Sequence, residues 1–198
     1  RRAKELGVFI NLDMESYFHK DITLALFKNL LEEPEFQHHD NVGIVIQAYL
    51  KDSEQDLKSL IEWSKKRTGK VTVRLVKGAY WDYETVLARQ RGWPVPVFTD
   101  KKQTDANYER LSILLLENDK YIRAAFGSHN IRSIAHALVH AERLGVDSRS
   151  FEVQMLYGMG DPIKRSLVKM GVRVREYAPV GELIPGMAYL VRRLLENT

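Results

Sequence analysis

The chain has 198 residues, 44% of them hydrophobic, with 30 Lys and Arg against 26 Asp and Glu for a formal charge of +4, a composition that fits one globular domain with one substantial core. The basic residues are interleaved with acidic ones, so no nucleic-acid footprint is evident. The absence of cysteine excludes disulfides, thiolate metal sites and cysteine nucleophiles, and no apolar run approaches the ~20 residues of a membrane-spanning helix, nor is there a signal-peptide pattern.

The opening RRAKELG reads as a last helical turn closed by Gly7, so further sequence is expected upstream. Six apolar, β-rich segments follow: Val8–Asp13, Val42–Leu50, Val71–Gly78, Ile122–Ser128, Phe151–Leu156 and Val172–Ala178. Each precedes a helical pattern. Asp52 or Ser53 suits the cap of a helix carrying Leu57, Leu60, Ile61 and Ser64, and Lys65 to Arg67 suit its negative end. Pro94 and Pro96 mark a long connection without secondary structure of its own, with Lys101 and Lys102 in an exposed loop. Thr104 and Asp105 then open a helix through Tyr108, Leu111, Leu114 and Leu115. Asn130 precedes a helix whose apolar stripe is Ile131, Ile134, Ala135, Leu138, Ala141 and Leu144, stopped at Gly145. On the last helix, Tyr189, Arg192, Arg193 and Glu196 share one face beside an apolar stripe of Met187, Leu190, Val191 and Leu194.

Strand-then-helix units in series predict an α/β protein with a parallel sheet. Polar residues lie at or near the C-terminal end of every β segment: Asp13, Gln47, Arg74 with Lys77, His129, Gln154 and Tyr177. A (β/α)8 barrel gathers such ends at one mouth, whereas an open sheet spreads them along an edge. Six units are two short of a closed barrel.

The segment VTVRLVKGAYW carries the sharpest chemical signal. Alternation puts Thr72, Arg74 and Val76 on one face and Val71, Val73 and Leu75 on the other. A guanidinium in such a run needs a carboxylate, a carbonyl or an electron-rich ligand, because leaving it unpaired costs several kcal/mol. A structural ion pair satisfies that need as well as a ligand does. Arg192 and Arg193 suit a carboxylate or phosphate, since each guanidinium donates two parallel hydrogen bonds; a solvated charged face is the plainer reading. Gly78, Gly158, Gly160 and Gly181 follow strands without forming the dinucleotide-binding GxGxxG arrangement. His136 and His140 are spaced i, i+4, but no HExxH pattern accompanies them, so no metal is expected.

The motifs RLVKGAYWD, GSHN, FEVQMLYGMGDP and YAPVGELIPGMAYLVRRLLEN, preceded by FINLDME and VIQAYL, closely resemble the proline dehydrogenase family, particularly the bacterial proline utilisation A flavoenzymes. The resemblance covers the whole chain. It implies a distorted (β/α)8 TIM barrel binding FAD at its mouth and oxidising L-proline to Δ1-pyrroline-5-carboxylate. Residues 1–198 would be the C-terminal larger part of that barrel, strands three to eight, with the upstream strands missing. The implied catalytic residues are Asp13 and Arg74. Arg74 would lie against the redox-active edge of the flavin, where positive charge favours the reduced form. FAD would be held by Gln47, Arg74, Lys77, Gly78, Ala79, Trp81, His129, Asn130 and Gln154. Arg192 and Arg193 would bind the proline carboxylate, oriented by Glu196, while Tyr80, Leu156, Tyr177 and Tyr189 wall the ring. The family's lysine on an earlier strand has no counterpart in this sequence. The resemblance also implies a quinone electron acceptor and a cytoplasmic location, with peripheral attachment to the inner membrane face left open. A fused or associated pyrroline-5-carboxylate dehydrogenase domain is a further implied partner. Two readings compete: an aldolase-like barrel forming a Schiff base on Lys77, and an inactive binding module built on the same fold.

Overall fold

The computed structural model describes residues 1–182 together with Ile184, Gly186, Met187 and Val191. Along them run α1 (Arg2–Leu6), β1 (Ile10–Leu12), α2 (Tyr17–Glu32), β2 (Val42–Gln47), α3 (Ser53–Ser64), β3 (Val71–Val76), α4 (Trp81–Arg91), α5 (Lys101–Glu117), β4 (Ile122–Gly127), α6 (Ile131–Arg143), β5 (Glu152–Leu156), α7 (Asp161–Lys169) and β6 (Arg173–Tyr177). The strands form one sheet in chain order, every neighbouring pair parallel. All six β segments expected from the sequence are strands.

The register fixes which side chains share a face. Val45, Arg74, Ala125, Glu152 and Arg173 are successive partners, and Gly127, Gln154 and Arg175 form the next layer. These face the inside of a curled half-barrel. The curl is visible in two contacts: the Arg74 guanidinium lies 5.6 Å from the ring centre of Tyr177, and Arg175 lies 4.7 Å from that of Phe9, which precedes β1. The opposite face carries Val71, Val73 and Leu75, all wholly buried, in one apolar cluster with Leu57 and Leu60 of α3 and Leu111 and Leu115 of α5. Burial of each such side chain contributes about 1.5–3 kcal/mol. This outer core holds the strands in place while the inner face remains free for polar residues.

The helix ends show where local chemistry departs from expectation. Gly7 takes the left-handed conformation (φ 65°) that closes α1, and the Asn130 side chain caps α6 by accepting from the Ser133 amide, as expected. Asp52 occupies the N-cap position of α3 without a capping bond; its carboxylate instead meets Lys20 and Tyr17. The helix expected to open at Thr104 begins at Lys101, because Asp100 accepts from the Lys102 amide and caps it earlier. Lys101 and Lys102 therefore belong to a helical first turn rather than a loop. On α6 the buried residues are Ser133, Ile134, Ala137 and Ala141, while Ile131 and Leu144 are exposed. Small residues at i, i+4 and i+8 let α6 approach α5 closely, and that packing overrides the larger apolar stripe. The proline-rich connection is also more ordered than expected: Val97 pairs with Leu50 in an antiparallel bridge, and both join Tyr49 in a small second core. Among the described residues, no helix is long and apolar enough to cross a membrane.

Candidate active site

Arg74 is the hub of one side of the mouth. Its side chain is 13% exposed and donates to Asp13 Oδ1 at 2.5 Å. Asn11 donates to the same oxygen at 2.8 Å, which fixes the carboxylate. The guanidinium is only partly committed, because its buried Nε has no partner among the described residues. Gln47, at the end of β2, donates through Nε2 to the carbonyls of Met14 and Glu15, and its buried Oε1 is likewise unpartnered among the described residues. Tyr80 donates to Glu15 Oε2 at 2.6 Å. Thus the loop after β1, carrying Asp13 to Glu15, is tied to β2, β3 and the start of α4.

Lys77 is buried and donates to Asp105 Oδ1 at 2.5 Å. Sequence reading gave Asp105 only a helix-opening role; the start of α5 at Lys101 turns it toward the mouth instead. A lysine so paired lacks the open, unpaired setting that a Schiff-base nucleophile needs, so the aldolase-like reading loses its main support. At Gly78 (φ 130°) a Cβ would come within 2.5 Å of the Tyr49 ring, so both conformation and close approach require glycine. The indole of Trp81 donates to the Phe98 carbonyl at 2.8 Å and anchors the start of α4, while Ala79 is half-buried beside it.

The other side of the mouth is built on β4 to β6. Leu156 donates its backbone N–H to His129 Nε2 at 3.0 Å. That bond requires an unprotonated Nε2, and hence places the proton of the neutral ring on Nδ1. Burial, reinforced by the positive charge of Lys164, pushes the His129 pKa below its usual value. Lys164 also donates to the Leu156 carbonyl and pairs with Glu176 at 2.5 Å. The buried Leu156 is therefore held from both its amide and its carbonyl. Gln154 Nε2 donates to Glu152 Oε1 at 2.6 Å, and Arg175 binds both Glu152 oxygens at 2.7 and 3.0 Å. This second arginine pair was not anticipated. The alternation of Glu152 with Gln154, and of Arg173 with Arg175, was its only signal in the sequence.

The expected site residues among those described thus fall at or near the C-terminal ends of all six strands and in the segments that follow them, and Arg74 meets both Asp13 and Tyr177. Tyr189, Arg192, Arg193 and Glu196 lie outside the described residues. A flat, polar-edged ring such as flavin needs donors, an acceptor and short neighbouring side chains. Arg74 Nε, Gln47 Oε1 and the short partners Val45 and Ala125 beside Arg74 meet that need.

Known proteins share this arrangement. The sequence profile of the family described as proline dehydrogenase matches residues 1–198. The chain is 36% identical over 196 residues to proline dehydrogenase of Deinococcus radiodurans, covering 99% of this chain and 56% of that protein. It is 35% identical over 202 residues to the bifunctional protein PutA of Salmonella typhimurium, covering 98% of this chain and 15% of the relative. Among solved structures, proline utilization A from Bdellovibrio bacteriovorus inactivated by N-propargylglycine superposes with a TM-score of 0.94 at 61% identity, covering 98% of this chain and 20% of that one. The chain therefore spans about half of the shorter relative and a fifth or less of the bifunctional ones. With the match running from first residue to last and the strand-end residues gathered at one mouth, the chain belongs to the proline dehydrogenase family.

Proposed function

We propose that the protein containing this chain oxidises L-proline to Δ1-pyrroline-5-carboxylate with FAD as its cofactor. The observation that carries this reading is Arg74: a mostly buried guanidinium held by Asp13, facing Tyr177, whose Nε has no partner among the described residues. FAD, when bound, supplies the acceptor for the hydride and the route for the electrons onward to quinone. The bond that breaks is the C–H of the ring carbon next to nitrogen; the nitrogen loses a proton and the C=N bond forms.

The residues of this chain act by placement and charge. Arg74 puts fixed positive charge where negative charge gathers as the cofactor is reduced, and Asp13 sets its direction. Gln47, Lys77, Gly78, Ala79, Trp81, Asn130 and Gln154 hold the cofactor around that point. His129 serves as a neutral donor through Nδ1. Tyr80, Leu156, Tyr177 and Tyr189 wall the pyrrolidine ring and exclude water, while Arg192 and Arg193 bind its carboxylate and Glu196 orients them. Because the chain spans only part of its relatives' length, the full-length protein is the proper subject of any assay, including assays of a fused pyrroline-5-carboxylate dehydrogenase, a cytoplasmic location or attachment to a membrane face. The purified full-length protein is expected to be yellow and to bleach anaerobically on addition of L-proline, with the product trapped by o-aminobenzaldehyde. A flavin that stays oxidised in the presence of proline overturns the proposal.

A further inference from the structure

A cavity of about 570 Å³ lies outside the barrel mouth, between the start of α2, the start of α3, α4 and the proline-rich connection. Its size falls within the range of small-molecule sites, which run from about 300 to 1,000 Å³. Its apolar walls include Phe18, Leu87, Trp93 and Pro94. None of the residues assigned to proline or flavin lines it.

Glu84 gives this cavity its character. The residue is 4% exposed and lines the space. One carboxylate oxygen accepts from the Tyr17 backbone N–H at 2.7 Å, serving the first residue of α2. The other oxygen has no hydrogen bond among the described residues, and the side chain lines the cavity. Asp21, almost fully exposed, and Asp52 add negative charge at the rim. Lys51 also lines the cavity, and it and the nearby cations have other partners. Lys20 is shared among Asp21, Asp52 and Asp56, Lys51 donates to the Val95 carbonyl, and the Arg91 guanidinium stacks 4.7 Å from the Trp93 ring centre. The lining is therefore an aromatic and prolyl wall around an under-coordinated carboxylate.

We propose that this cavity is a second ligand site that takes a small organic ammonium: a charged nitrogen on Glu84 and an apolar body against Phe18, Trp93 and Pro94. Charge-assisted bonding to the carboxylate oxygen left free among the described residues fixes the ammonium, and the rings supply apolar contact and cation–π attraction. Burial raises the Glu84 pKa, and the hydrogen bond from the Tyr17 amide offsets part of that rise. The site is independent of the proline chemistry proposed above.

Benzylammonium is a suitable probe, with benzyl alcohol as its neutral counterpart, titrated into the ¹⁵N-labelled full-length protein at pH 7.5. The indole resonance of Trp93, assigned by its loss in Trp93→Phe, reports binding. Saturable shifts are expected with benzylammonium, and binding of benzyl alcohol should be weaker by about tenfold or more. Glu84→Gln keeps an oxygen for the Tyr17 amide while removing the charge, and should weaken benzylammonium by a similar factor. Phe18→Ser, at a position 74% exposed and so harmless to folding, should weaken both probes. No saturable binding up to about 10 mM, equal affinity for the two probes, or benzylammonium affinity unchanged in both variants each overturns the proposal.

Discussion

Two arginine–carboxylate pairs share the inner face of the half-barrel, and they are built in opposite ways. In the pair of Arg175 and Glu152 the carboxylate is buried, at 6% side-chain exposure, and the arginine reaches it from a half-exposed position through two bonds. Gln154 adds a third donor to the same carboxylate. In the pair of Arg74 and Asp13 the arginine is the less exposed partner, the carboxylate is 42% exposed, and Nε has no partner among the described residues. Saturated pairing serves the scaffold, because a buried charge with all its bonds made has nothing to offer a ligand. Incomplete pairing is tolerable only where another group completes it. On the function proposed above, two arginine–carboxylate pairs in one lumen divide into support and chemistry according to which partner is buried and how many of its bonds are made.

The largest expected effect that separates the pairs is on stability. Glu152→Ala removes a buried acceptor of three hydrogen bonds and should cost about 2 kcal/mol in urea unfolding, with half-exposed Arg175 recovering water and limiting the loss. Proline turnover per folded, flavin-loaded molecule should change little. Asp13→Asn is expected to do the reverse. Its carboxylate is largely hydrated, so unfolding should shift by less than about 1 kcal/mol, while flavin reduction slows about tenfold as Arg74 loses its anchor. A large stability loss in Asp13→Asn, or a large activity loss in Glu152→Ala, would dissolve the distinction between the pairs.

A smaller effect concerns His129, which links the two sides of the mouth through Leu156. Its folded-state pKa lies below the ordinary 6.5 because of burial and Lys164. Above that ordinary value the ring is neutral in both folded and unfolded chains, and stability is fully present. As the pH falls below it the unfolded chain takes up the proton first, so stability declines until the folded-state pKa is passed. Urea midpoints of the wild type should therefore fall between pH 7.5 and pH 5 more steeply than those of His129→Gln. Parallel pH profiles would mean that the ring is not held as an acceptor for the Leu156 amide.

The strands were legible in the sequence because β-branched runs such as Val71 to Val76 answer to burial on both faces, and the sheet preserves that pattern. The strand-end polar residues were legible for the same reason: a charged or amide side chain at the end of an apolar run has few places to go except the mouth. What escaped was pairing across elements. Asp105 joins Lys77 only once Asp100 has set the start of α5, and Glu152 meets Arg175 only through the parallel register of β5 and β6. The burial of α6 also escaped, since close packing on α5 favoured Ser133, Ala137 and Ala141 over the larger Ile131 and Leu144. The cavity at Glu84 gave no sequence signal, because its walls come from α2, α3, α4 and the proline-rich connection.

The rate of anaerobic flavin reduction by L-proline in the full-length protein, compared between Arg74→Met and Arg175→Met, tests the account most directly. Removal of a fixed charge at the reacting centre typically slows chemistry by about 10²–10³-fold. Arg74→Met is expected to show a loss of that order, with Arg175→Met within about threefold of wild type per folded, flavin-loaded molecule. Equal rates in the two variants, or the larger loss in Arg175→Met, would contradict the assignment of Arg74 to chemistry and Arg175 to support.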